Sequence, residues 1–142
     1  MDGEALHEVA IRTATALPAV EETQPFGPDA LVYKVVGKVF AMVTEVRGTP
    51  IVNLKCAPAH GAALVRDHAE VTPGWHMSKR HWITLAPGDG MHETMVEDLV
   101  ANSWELVVAG LPRARRPLDP ARRGAARAPR DDQGPRDDQG PR

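Results

Sequence analysis

The order of periodicities along this chain predicts an α+β domain, an antiparallel sheet packed with helices. Three observations lead there: amphipathic stretches at both ends of residues 1–111, alternating runs joined by short turns, and a helix-like segment that divides those runs into three and two. Turns of a few residues leave no room for a crossover, so neighbouring strands must pair antiparallel. The predicted order is α-β-β-β-α-β-β-α.

From Asp2 to Leu17, the residues Leu6, Val9, Ala10, Thr13 and Leu17 recur at helical spacing, with Glu4, Glu8 and Arg12 on other sides and Pro18 as the stop. PAVEETQPFGPDA follows, with three prolines, one glycine and no period. It is expected to be an ordered loop with Phe26 as its anchor into the core. Leu31–Val36, Lys38–Val46 and Ile51–Cys56 then read as a meander, punctuated by Gly37 and by Arg47-Gly48-Thr49-Pro50. Alternation puts Val52, Leu54 and Cys56 on one side of the third strand, under the helices. Asn53 and Lys55 are expected to project from the other side.

Pro58–Ala69 reads as a second helix, with Pro58 in its first turn and Gly61 as a weak point. After a turn near Thr72-Pro73-Gly74 come two short predicted strands, Trp75–Ser78 and Arg80–Leu85. The breaker Pro87–Gly90 precedes a last helix, about His92 to Leu111, whose apolar face is Val96, Leu99, Val100, Ser103, Val107 and Leu111. Residues 1–111 therefore form the predicted domain. Residues 112–142, rich in Arg, Pro and Gly and ending in two PRDDQG repeats, hold too little apolar surface to offset their ordering entropy and are expected to be a disordered tail.

Net charge is -2 over the 142 residues, but it is divided unevenly. Through Leu111, four Lys and four Arg face fourteen Asp and Glu, a net of -6; from Pro112 onward nine Arg face five Asp, a net of +4. An acidic domain argues against a broad electrostatic grip on nucleic acid, so any such contact must be a local patch or must use the tail. The acidic N-terminus does not suit a signal peptide and no apolar run is long enough for a membrane span, which leads to the expectation of a cytoplasmic protein with no membrane contact. Cys56 is the only cysteine, so an internal disulfide and a cysteine zinc cluster are both excluded.

One stretch concentrates chemistry. PGWHMSKRHWITL, Pro73 to Leu85, holds two of the three tryptophans, two of the six histidines and the pair Lys79-Arg80. Joined to cations and an amide on the other strands, it gives a candidate nucleic-acid surface of Lys34, Lys38, Asn53, Lys55, His76, Lys79, Arg80, His81 and Trp82. Lys and Arg suit phosphates, Asn53 suits a base or backbone contact, and an exposed Trp suits stacking on a base. Two blander readings stand beside this one: a solvated rim around a core Trp82, and a protein-docking face.

Other chemistries find less support. The histidines have no HExxH or His-x-His spacing, so no metal site is assigned. Cys56 ends an apolar strand and reads as a buried structural thiol; the adjacent Glu21-Glu22 and Glu97-Asp98 pairs point apart on any regular element, and no glycine-rich phosphate loop is present. The chain is therefore read as a non-enzyme with no cofactor.

ALPAVEETQPFGPDALVYKVVGKVFA, VNLKC, PGWHMSKRHW and NSWELVVAGLP, taken together and in this order, resemble the MmcQ/YjbR family of small bacterial proteins over about Leu6 to Leu111. That resemblance implies a fold similar to that of type III secretion chaperones, and DNA binding through a double-wing arrangement of β-hairpins. The related fold of the chaperones gives the alternative, a protein-interaction module with a protein partner and no nucleic-acid role. Trp75, Ser78 and Trp104 stand where the family pattern has Tyr, Asn and Tyr. The aromatic exchanges keep a flat face, whereas Ser78 lacks the amide that a base-edge contact would use.

Overall fold

The computed structural model describes residues 1–74 and 78–117. Its elements run α1 (Gly3–Ala16), β1 (Val20–Thr23), β2 (Leu31–Val35), β3 (Lys38–Val46), β4 (Thr49–Lys55), α2 (Pro58–Asp67), β5 (Val71–Pro73), β6 (Trp82–Leu85) and α3 (Glu93–Ala109), with a 3-10 turn at Arg113–Arg115. The strands form one antiparallel sheet in the order β1-β2-β3-β4-β6-β5.

Local chemistry accounts for most boundaries. The Asp2 carboxylate caps α1 by accepting from the Ala5 N–H at 2.8 Å. The β2–β3 and β3–β4 turns place Val36-Gly37 and Arg47-Gly48 at positive φ, as two-residue hairpins with the twist of their flanking strands require. Pro58 opens α2.

Register settles the faces. Ala41 and Val43 on β3 lie opposite Leu54 and Val52 on β4, which in turn lie opposite Ile83 and Leu85 on β6. These residues are buried with Leu6, Val9, Val96, Val100 and Trp104 in one core, so α1 and α3 lie together on this face of the sheet. Between Tyr33 and Lys34 the β2–β3 register slips by one residue; Phe40 takes the extra position and, like Ala41, is buried. The Ser103 hydroxyl of α3 donates to the Phe40 carbonyl at 2.6 Å and accepts the Lys55 N–H at 2.9 Å. The bulge and the end of β4 are thereby tied to one helix position. Trp104 is also core, its indole N–H meeting the Pro18 carbonyl at 3.1 Å.

Four expectations need correction. Val20–Thr23, expected as loop, is an edge strand paired with β2. Phe26, expected as a core anchor, is 74% exposed, because β1 stops at Thr23 and the turn closed by the Gly27 N–H on the Gln24 carbonyl carries it past the sheet edge. Val71–Pro73, expected as turn, is a strand at the opposite edge, where a proline costs no ladder bond on its solvent side; the expected strand at Trp75–Ser78 falls largely outside the described residues. Beyond Leu111, expected disorder gives way first to the 3-10 turn, and the Arg116 guanidinium reaches back to the carbonyls of Leu111 at 2.8 Å and Ala109 at 2.9 Å. Residues 118–142 lie outside the described residues.

Candidate nucleic-acid interface

On the sheet face turned away from α1 and α3, the register builds two neighbouring rows. One runs Val32, Met42, Asn53, Thr84, Thr72 across five strands. Its centre is closed: Val32 is 2%, Asn53 0% and Thr84 5% exposed. In the next row Glu21 lies opposite Lys34 and Lys34 opposite Val39, while Lys55 lies directly opposite Trp82. Lys34, Lys55 and Trp82 thus share this face.

The position of Trp82 follows from the turn that precedes it. The Ser78 carbonyl accepts the N–H groups of His81 at 3.2 Å and Trp82 at 3.0 Å, closing a tight turn with Lys79, Arg80 and His81 exposed on it. The Cys56 N–H then donates to the His81 carbonyl at 2.8 Å, which carries the β4–β6 ladder past Lys55. On the other side Gly74 donates to the Trp82 carbonyl, and a Cβ at Gly74 would stand 2.6 Å from the Trp82 Cβ. Only glycine permits that approach. Trp82 is half-buried, neither a core residue nor a free platform.

The candidate residues therefore divide. Lys34, Lys55 and Trp82 come together on one face, with Lys79, Arg80 and His81 in the turn leading to it. Lys38 does not join them, because it lies opposite the core residue Val35 and so has the parity of the helix-covered face, exposed only by its place at a hairpin end. His76 falls outside the described residues. Asn53 has the expected parity but does not project: its side chain turns along the sheet, its carbonyl oxygen accepting the Thr84 hydroxyl at 2.6 Å. The amide nitrogen is buried without a partner. Thr84 escaped the sequence reading, and its only signal there was its position between Ile83 and Leu85 in an alternating run.

Charge is segregated between the two layers. α3 carries Glu93, Glu97, Asp98 and Glu105 with no Lys or Arg, and α1 carries Glu4 and Glu8 against Arg12. Arg12 bridges to Glu93 at 2.9 Å and Glu97 at 3.2 Å on the surface, joining α1 to α3. All four lysines lie on strands or on the turn before β6. α1 and α3 together hold six carboxylates against Arg12 alone, behind the candidate face, whereas Glu21 lies on that face opposite Lys34.

Cys56 is buried, and desolvation pushes its thiol pKa up, the reverse of an activated nucleophile. Among the described residues no group of three or more His, Cys, Asp or Glu could hold a metal ion, and no helix is long and apolar enough to cross a membrane.

Comparison with known proteins places this architecture. The family model YjbR matches residues 15–106. The uncharacterized protein YbdF of Escherichia coli O157:H7 is 44% identical over 111 residues, 78% of this chain and 91% of that protein. The uncharacterized protein YjbR of Escherichia coli K12 is 33% identical over 103 residues, 72% and 87% of the two chains. A crystal structure of Deinococcus radiodurans protein DR2400, assigned to the domain DUF419, superposes with a TM-score of 0.68 at 28% identity, covering 82% of this chain and 86% of that one. A Pseudomonas syringae crystal structure shares the fold at a TM-score of 0.60 and 19% identity, covering 75% and 98%.

Proposed function

The chain belongs to the YjbR family, and from the face its sheet builds we propose that it is a non-enzymatic DNA-binding protein that contacts the duplex through Lys34, Lys55, Trp82 and the Lys79–His81 turn. The observation that carries this reading is the direct pairing of Lys55 with Trp82, on the face opposite the acidic helices. A cation beside a partly exposed indole offers a phosphate contact and a flat apolar surface within one strand spacing. Because the carboxylates of α3 lie in the other layer, much of the acidity through Leu111 is held away from the docking side, where Glu21 stands opposite Lys34 and leaves Lys55 and the Lys79–His81 turn as the main cations.

Binding of a labelled duplex measured across a salt series tests this. Affinity should fall steeply with salt, and the Lys55→Ala/Lys79→Ala/Arg80→Ala protein should bind at least about tenfold more weakly, its salt slope flattened by about one unit for each phosphate no longer neutralised. No shift of any duplex at low ionic strength, or equal binding by the triple variant, would sink the proposal.

The alternative reading is a protein-docking role, for which Phe26, at 74% exposure, is the large apolar side chain on offer among the described residues. Its signature would be a protein complex abolished in Phe26→Ser and indifferent to the triple variant.

A further inference from the structure

A cleft of about 460 Å³ lies between α2 and the β5–β6 hairpin. That volume falls within the range of small-molecule sites. Its walls are of two kinds. Gly61, Ala62 and Val65 of α2 face Pro73, Trp82 and Ile83 of the hairpin across an apolar floor. The helix comes close at one point: a Cβ at Gly61 would stand 3.3 Å from the Ile83 Cγ2, so glycine lets α2 seat against β6 while the cleft opens alongside.

Three cations stand at the mouth, Arg66, Lys79 and Arg80. Arg66 is already engaged, with Nε and Nη2 on the two Asp67 carboxylate oxygens at 2.8 and 3.0 Å. Lys79 and Arg80 are exposed and have no acidic partner among the described residues. Among the described residues, the chemistry left open is an apolar floor with the Trp82 indole under two positive charges that no carboxylate pairs. An inorganic phosphate would leave the floor unused, and a neutral hydrocarbon would leave the cations unused.

We propose that this cleft binds a small amphipathic organic anion, with its apolar body on Ala62, Val65, Trp82 and Ile83 and its carboxylate at Lys79 and Arg80. The site stands independently of nucleic-acid contact. Because it shares Trp82 and the two cations with the candidate interface, its occupancy and duplex binding are expected to compete.

Isothermal titration of the full chain with 1-naphthoate and with decanoate, an aromatic and an aliphatic carboxylate, tests the site. At least one should bind saturably with one-to-one stoichiometry. The neutral 1-naphthylmethanol should bind at least about tenfold more weakly than 1-naphthoate, and Lys79→Ala/Arg80→Ala should weaken the better carboxylate by a similar factor. Ala62→Trp, which fills the cleft from an exposed helix position and leaves both cations in place, should abolish binding. Should Ala62→Trp fail to fold, the double variant in the exposed turn decides the matter alone. Absence of saturable binding by both carboxylates, equal binding of the neutral compound, or unchanged affinity in the double variant or in a folded Ala62→Trp overturns the proposal.

Discussion

The Thr84 hydroxyl donates to the Asn53 side-chain carbonyl at 2.6 Å across β4 and β6, and this bond leaves the other end of a fully buried amide with no partner. Exchanging the amide oxygen and nitrogen only moves the orphan from a donor to an acceptor. Thr84→Val would remove the bond that holds the Asn53 side chain, at a cost of about 1–3 kcal/mol, read as a lower urea midpoint with unchanged slope. Asn53→Asp keeps the shape but buries a carboxylate, whose folded-state pKa must rise. The folded variant then holds its proton to higher pH than the unfolded chain, so its deficit should be largest near neutral pH and shrink as pH falls toward 4. A deficit that grows on acidification would contradict this burial.

Ser103 holds two backbone groups at once, the Phe40 carbonyl at 2.6 Å and the Lys55 N–H at 2.9 Å. Ser103→Ala orphans both, the Phe40 carbonyl in a buried setting and the Lys55 N–H in a partly buried one. A loss of about 2–4 kcal/mol follows, larger than removal of a typical surface hydroxyl and measurable by chemical denaturation.

What the sequence revealed divides along physical lines. α1, α3 and β2–β4 were legible because many residues repeat one period and each end has a cap or turn. β1 was not: VEET is four residues long and lies in a proline-rich stretch. It is a strand because β2 offers it an open edge. Pro73 hid β5 for a similar reason, since proline argues against a strand anywhere except at an edge. In the candidate site, parity correctly separated Asn53 and Lys55 from the core face. It could not show that Asn53 bends sideways into Thr84, because alternation gives a side and says nothing of reach.

Cys56 offers a direct test of burial. It is 2% exposed, and desolvation raises its thiol pKa. A thiol reagent at pH 7.5 should modify it slowly in the native protein and rapidly in urea, with the native rate set by the opening equilibrium. Rapid stoichiometric labelling under native conditions would mean that the end of β4 is open to solvent.

Glu70 holds the loop before α3 by accepting the Gly90 N–H at 2.9 Å. That bond is the main cause of its lowered pKa, with its own backbone N–H next and smaller contributions from His68 and His92. A carboxylate with a depressed folded pKa adds stability above its unfolded value, and the addition disappears as pH falls through the folded pKa. Glu70→Gln should therefore be less stable than the parent at pH 7, with the gap closing below about pH 4. Parallel stability curves for the two proteins from pH 7 to 3 would exclude the carboxylate as the cause.

Arg116 closes the end of α3. Its guanidinium bonds to the Leu111 and Ala109 carbonyls at 2.8 and 2.9 Å, groups the helix cannot satisfy internally. A chain cut after Leu111 loses this cap; one cut after Pro117 keeps it and still lacks the two PRDDQG repeats. The shorter chain should melt at lower temperature than the longer, and Arg116→Ala in the full chain should reproduce most of the difference. This bears on how the Arg-rich tail is tested. Weaker duplex binding by a chain ending at Leu111 would combine missing tail charge with a frayed α3, whereas weaker binding by a chain ending at Pro117 would belong to residues 118–142. Equal melting of the two shortened chains would show that the Arg116 hydrogen bonds contribute nothing to holding the helix end.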